Sequence, residues 1–113
     1  MTLAELQADT YDAMPTVQRT LAGRFIVNRI VRRAVAGWPV PVLEQCDDAQ
    51  AAVVGKYEAR RVERQIRQEM GMGIILTLVL SALVSEVVKY LIRRWLENRE
   101  EMRALVGEVR HHD

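Results

Sequence analysis

Few residues in this chain are of types that do chemistry, and their spacing brings none of them together. The only histidines, His111 and His112, are adjacent and lie at the end of the sequence. Neighbouring side chains on a frayed end do not face one site, so a tail is expected there and not a metal centre. With histidine confined to that end, no serine–histidine–acid set can be assembled. Cys46 is the sole cysteine, which excludes an intramolecular disulfide and any multi-cysteine zinc site. Gly71 and Gly73 form a Gly-x-Gly pair without a strand before it, and such a pair implies no phosphate loop. Glu86 and Lys89 are the one ionisable pair set in otherwise apolar sequence. Charges inside a membrane are functional candidates, yet an i, i+3 pair on one helix face, with the lysine reaching to the interface, explains them more plainly. No enzyme activity, cofactor or metal is expected.

The arginines are the remaining chemistry. From Ala13 to Leu43 there are five arginines and no acidic residue, a local excess that the net charge of +1 conceals. Arg29, Arg32 and Arg33 fall opposite the apolar face of their helix. They are suited to an anionic partner: lipid headgroups, phosphates of nucleic acid, or acidic residues of another subunit. A solvated helix face is the plain alternative. Nucleic acid is the weakest of these partners, because no aromatic residues interleave with the arginines and no recognisable binding fold accompanies them.

The elements that position these residues are organised around Met70–Ser85, 16 residues without a charge. A membrane span needs about 20 apolar residues, and runs of about 10–14 more often mark a buried helix. Extended to Ile92, with only Glu86 and Lys89 intervening, the segment reaches 23 residues, about 35 Å of helix. Tyr90 and Trp95 follow, where an aromatic belt would lie. A membrane-embedded segment over 70–92 is therefore expected, with a buried helix in an oligomer as the alternative. The first residues lack the basic-then-apolar pattern of a secretory signal, so insertion would rest on this internal stretch. The larger arginine set before the segment favours a single span with a cytoplasmic N-terminus.

The rest of the chain reads as helix. Thr2 and Glu5 fit a capping box for a helix over 2–13, with Leu3 and Leu6 on its apolar face and Pro15 at its end. Val27, Ile30, Val31, Ala34 and Val35 give a second helix over 16–36, favoured over a strand across 25–31 because the i, i+3, i+4 spacing outlasts any alternation. Pro39 and Pro41 require 37–43 to be extended or a turn. Asp47 or Asp48 caps a polar helix running to Glu69, whose narrow seam is Ala52, Gly55, Ala59, Val62 and Ile66. Gly71 and Gly73 mark a hinge or a tight contact. The fold expected is all-α: an N-terminal helical hairpin over 1–37, a linker containing Trp38 and the prolines over 38–47, the polar helix over 48–69, the apolar segment over 70–92, and a charged coiled-coil-like helix and tail over 93–113.

One seam runs at 4, 3 spacing along a single helix expected over 74–109: Thr77, Ser81, Val84, Val88, Leu91, Trp95, Asn98, Met102, Leu105 and Val109. Small hydroxyl residues in its first part suit helix association in lipid. Asn98 within the apolar continuation is the kind of polar residue that fixes register in a coiled coil. The short N-terminal helices do not offer enough surface to cover this stripe, so the chain is expected to form a homo-oligomer through it. In size and order of segments the chain resembles short single-span proteins of phage and virus late genes, holin-like and small virion proteins among them. That resemblance implies a structural or pore-forming membrane role, or, as the alternative, a soluble subunit of an assembly such as a virion. No motif carries it residue by residue.

Overall fold

The structure is a computed structural model. It describes the chain except Thr16, Arg19, Leu21, Met72, Gly73 and Asp113, and except the side chains of residues 74–77 and 112. The described residues form six helices and no strand: α1 (Leu3–Asp12), α2 (Gly23–Ala36), α3 (Val40–Leu43), α4 (Asp48–Met70), α5 (Ile74–Glu97) and α6 (Arg99–His112). The all-helical fold expected from the periodicity is thus present, and the strand alternative over 25–31 is not.

Local signals set most of the helix ends. Thr2 accepts a hydrogen bond from the Glu5 N–H (3.1 Å) and starts α1. Asp47 starts α4 with a complete capping box: the Gln50 N–H donates to its carboxylate (2.8 Å), and its own N–H donates to the Gln50 side chain (2.9 Å). Each arm satisfies a backbone donor that the helix itself leaves unpaired. Gly71 ends α4 in the left-handed conformation, φ +58°, so it breaks the helix as a C-terminal cap. Gly73 lies outside the described residues. A Cβ added at Gly71 would meet nothing within 4 Å, leaving only the backbone cost of a left-handed L-residue. Gly71→Ala is therefore expected to lower stability by about 1 kcal/mol, measurable as a shift of the urea midpoint at unchanged slope.

Four boundaries differ from expectation. The second helix starts at Gly23, not at 16. The stretch 37–43 is not wholly extended, because Val40–Leu43 makes one helical turn after Pro39. Proline is tolerated in a first turn, where no N–H is needed. The helix expected over 74–109 is two helices. Unbroken, it would be about 54 Å long, but the whole molecule is only 36 Å in its longest dimension. The chain breaks at Asn98, which keeps its N–H on the Arg94 carbonyl (2.9 Å) and takes the Met102 N–H on its own carbonyl (3.2 Å). The end of the chain is helix as far as His112, where a tail was expected.

α4 and α5 form the most extensive helix pair, an antiparallel hairpin against which α2 packs. α1 lies on α2, and α6 folds back to α2. The core runs through all of them: Leu6, Val27, Ile30, Val31, Ala34, Val35, Trp38, Leu43, Ala51, Val62 and Ile66 join the inner faces of α5 and α6. Trp38 is fully buried, so it closes this core and anchors no interface. The seam of α4 is shifted from expectation. Gly55, Val62 and Ile66 are inside as expected, but Ala52 is exposed, Ala59 is half-buried, and Ala51 and Glu58 take the inner places.

The C-terminal stripe is covered within the single chain. Val84, Val88, Leu91, Trp95, Met102, Leu105 and Val109 are all buried. Ser81 is half-buried and donates a hydrogen bond to Glu63 of α4. Asn98 is exposed at the helix break, and the Thr77 side chain lies outside the described residues. The stripe is covered by the chain's own helices, contrary to the expectation that the N-terminal part offers too little surface, because folding at Asn98 shortens the stripe and lays α2, α4 and α6 over it. Among the described residues, no helix is long and apolar enough to cross a membrane.

Candidate functional site

The feature left over once the core is filled is the end of the α4–α5 hairpin. Leu80, Leu83, Val84, Val87 and Val88 of α5 are buried, spaced so that one face of the helix meets its neighbours. Glu86, Lys89 and Arg93 lie on the exposed face. From about Leu80 onward α5 is thus an ordinary amphipathic core helix. At Leu78 and Val79 the same helix is apolar on its outer face as well. Leu78 is 69% exposed and Val79 65%, and Met70, at the other side of the turn, is 39% exposed. By sequence no charge stands between Glu69 and Glu86. An apolar hairpin end of this kind is the sort of exposed patch that marks contact with lipid or protein.

Charge is arranged beside it. Along the outer face of α4, Lys56, Arg60, Arg64 and Arg67 recur at spacings of four, four and three, which places them in one row. All four are exposed and make no ion pair among the described residues. Arg60, Arg64 and Arg67 share a shallow depression with Tyr57, and Arg64 and Arg67 share another with Gln68 and Gly71 at the hairpin turn. The row therefore leads to the apolar end.

The arginines singled out in the sequence are placed differently. Arg29 and Arg33 both bind Glu69, at 2.8 and 2.7 Å, and so tie α2 to the last turn of α4. Of the anionic groups considered for them, lipid headgroups, phosphates or acidic residues of another subunit, what Arg29 and Arg33 meet here is an acidic residue of their own chain. Arg32 lies on the exposed side of α2. The Glu86–Lys89 pair is not formed among the described residues, and both groups face outward. The α4 row was visible in the sequence only as polar faces of a helix. Its spacing was the signal, and it acquires meaning only beside Leu78 and Val79.

A second network lies deeper. Glu58, at the inner face of α4, takes both the Nε and Nη2 of Arg61 on one oxygen (2.9 and 2.6 Å). Arg61 also reaches the Ala34 carbonyl near the end of α2 (3.4 Å). Arg110 of α6 donates to the carbonyls of Ala36 (3.2 Å) and Trp38. These two arginines meet the Ala34 and Ala36 carbonyls at the C-terminal end of α2, and Arg110 adds a second donor to the Trp38 carbonyl, which already takes the Val40 N–H (2.9 Å). Their work is structural.

The chain matches no protein-family model, no curated protein and no solved structure.

Proposed function

We propose that this chain is a non-enzymatic helical module that attaches to an anionic membrane surface by inserting the end of its α4–α5 hairpin. The exposure of Leu78 and Val79 beside the arginine row carries the reading. This narrows the expected membrane-embedded segment from 70–92 to a contact through Met70, Leu78 and Val79, because α5 from Leu80 onward is committed to the bundle core. Full burial of two such aliphatic side chains contributes on the order of 3–6 kcal/mol. Each arginine near an anionic surface adds about 1 kcal/mol. The sum supports reversible, salt-sensitive attachment in the plane of the interface, as amphipathic elements do. Anionic lipids concentrate in the cytoplasmic leaflet, so this reading puts the protein on that side. A structural role at the membrane fits better than pore formation, since the apolar stripe that would pair copies around a pore, Val84, Val88, Leu91 and Trp95, is buried against the chain's own helices.

Flotation with vesicles tests this. The protein is expected to float with vesicles of phosphatidylcholine and phosphatidylserine, to float poorly with phosphatidylcholine alone, and to be released by high salt. Leu78→Ser with Val79→Ser should abolish flotation, while Arg64→Gln with Arg67→Gln, at about 1 kcal/mol each, should weaken it about thirtyfold. Absence from the floated fraction with phosphatidylserine at low salt would sink the proposal. Should the protein instead form oligomers that Leu78→Ser dissociates, the hairpin end is a subunit contact and the assembly alternative takes its place.

A further inference from the structure

The opposite stretch of the same hairpin holds a groove that shares with the membrane reading only Lys56, the far end of the basic row. It has walls from two helices: Asp48, Ala52, Gly55 and Lys56 of α4, and Ser85, Lys89, Ile92, Arg93 and Leu96 of α5. Its volume is about 200 Å³. Small residues open it. Gly55 has no side chain, and a Cβ there would come within 3.2 Å of Ile92 Cγ1, so the two helices approach closely at its floor. Ala52 leaves the space above open, and Ile92 and Leu96 supply an apolar wall.

The charges are not evenly spread. The Ser81–Glu63 hydrogen bond and the Gly55–Ile92 approach fix the antiparallel register of the hairpin. In that register Lys56 stands level with Lys89, and Asp48 stands near Leu96. Neither lysine has an ion-pair partner among the described residues. Arg93, one turn beyond Lys89, lies over the Tyr90 ring at 5.4 Å. Lys56 and Lys89 thus both border the groove at one level, Asp48 borders it about 10 Å away, seven residues of helix rise, and Ile92 and Leu96 form the apolar wall between those levels. This pattern selects a ligand with one anionic head and an unbranched apolar chain. The head sits between two cations, the chain replaces water over Ala52, Ile92 and Leu96, and Asp48 disfavours a second anionic group at the far end.

We propose that the groove between α4 and α5 binds a small anionic amphiphile, a single carboxylate or phosphate on a chain of about eight carbons, with Lys56 and Lys89 holding the head. The test is a titration followed by amide correlation spectra of the full chain, with sodium octanoate and octyl phosphate as probes below their micelle concentrations. Octylamine supplies the same chain with the opposite charge, and propionate the same head without the chain.

The expected result is saturable shifts at Gly55, Ser85 and Ile92 with at least one anionic probe, and binding at least tenfold weaker for octylamine and propionate. The tighter of the two anionic probes identifies the head group. Ala52→Leu fills the slot from an exposed position and should weaken binding at least tenfold in a protein whose circular dichroism is unchanged. Lys56→Gln with Lys89→Gln should do the same. Equal binding of octanoate and octylamine, lack of saturation, or indifference to Ala52→Leu would overturn the assignment. Leu78→Ser with Val79→Ser separates this site from the membrane-binding end: it should leave octanoate binding intact, and loss of binding in that variant would place the ligand at the hairpin end and overturn the groove.

Discussion

Leu91→Glu is expected to unfold the isolated chain, not to separate subunits. Leu91 is fully enclosed between buried neighbours on α5, with Trp95 one turn ahead and Val88 one turn behind. Deleting a buried leucine side chain costs about 2–5 kcal/mol. The glutamate that replaces it must either ionise without a partner or give up its charge, and both add several kcal/mol more. The sum matches the roughly 5–15 kcal/mol that holds an ordinary domain together. Loss of cooperative thermal unfolding by circular dichroism, at any protein concentration, is the expected observation. Leu105→Glu on α6 should behave alike, because Leu105 is equally enclosed, whereas Glu101→Gln on the exposed face should be within about 0.5 kcal/mol of the parent. A Leu91→Glu protein that stays folded and sediments as a smaller species would show instead that the stripe pairs between copies.

That contrast shows what periodicity can and cannot say. The 4, 3 spacing of Val84, Val88, Leu91, Trp95, Met102, Leu105 and Val109 correctly marks them as buried. It is silent on what buries them, since a neighbouring helix of the same chain and a second copy impose the same period. The deciding feature was Asn98. It reads as a register-setting core residue if the helix is straight and as a break if it is not, and local propensity does not separate the two. The uncharged run was similarly ambiguous. Its outward positions from residue 86 onward, Glu86, Lys89 and Arg93, at i, i+3, i+7, already described an amphipathic helix. Only the part before Leu80 lacks that polar face.

Local chemistry was more legible than packing. Thr2, Asp47 and Gly71 act through their own backbone neighbours, so their caps follow from the residues themselves. The groove at Lys56 and Lys89 was not legible, because those lysines are 33 residues apart and their meeting depends on the hairpin register. Glu58 was hidden for a different reason. A glutamate among Lys56, Arg60 and Arg61 looks like one more surface charge, and its partner's reach to α2 has no sequence signature.

The Glu58–Arg61 pair gives the second large effect. The side chains retain only 11% and 26% of their exposure, so each depends on the other for solvation. Removing one partner of a buried pair costs about 3–5 kcal/mol, because the survivor is left uncompensated. Partial exposure of Arg61 places Arg61→Ala nearer the lower figure, about 3 kcal/mol. Part of that loss comes from the Ala34 carbonyl at the end of α2, which Arg61 also meets. Gly37 sharpens the expectation. A Cβ built there would lie 2.5–2.9 Å from the guanidinium atoms of Arg61. The backbone at Gly37, φ −105°, is open to alanine, so any cost of Gly37→Ala comes from displacing that guanidinium and not from backbone strain. Gly37→Ala should thus destabilise the parent by about 1–2 kcal/mol, in the range found for overpacking, and be close to neutral once Arg61→Ala has emptied the site. Urea unfolding of the two single variants and the double variant measures the coupling directly. Additive losses would mean that Arg61 does not occupy the space beside Gly37, and with it would go the link between α4 and the end of α2.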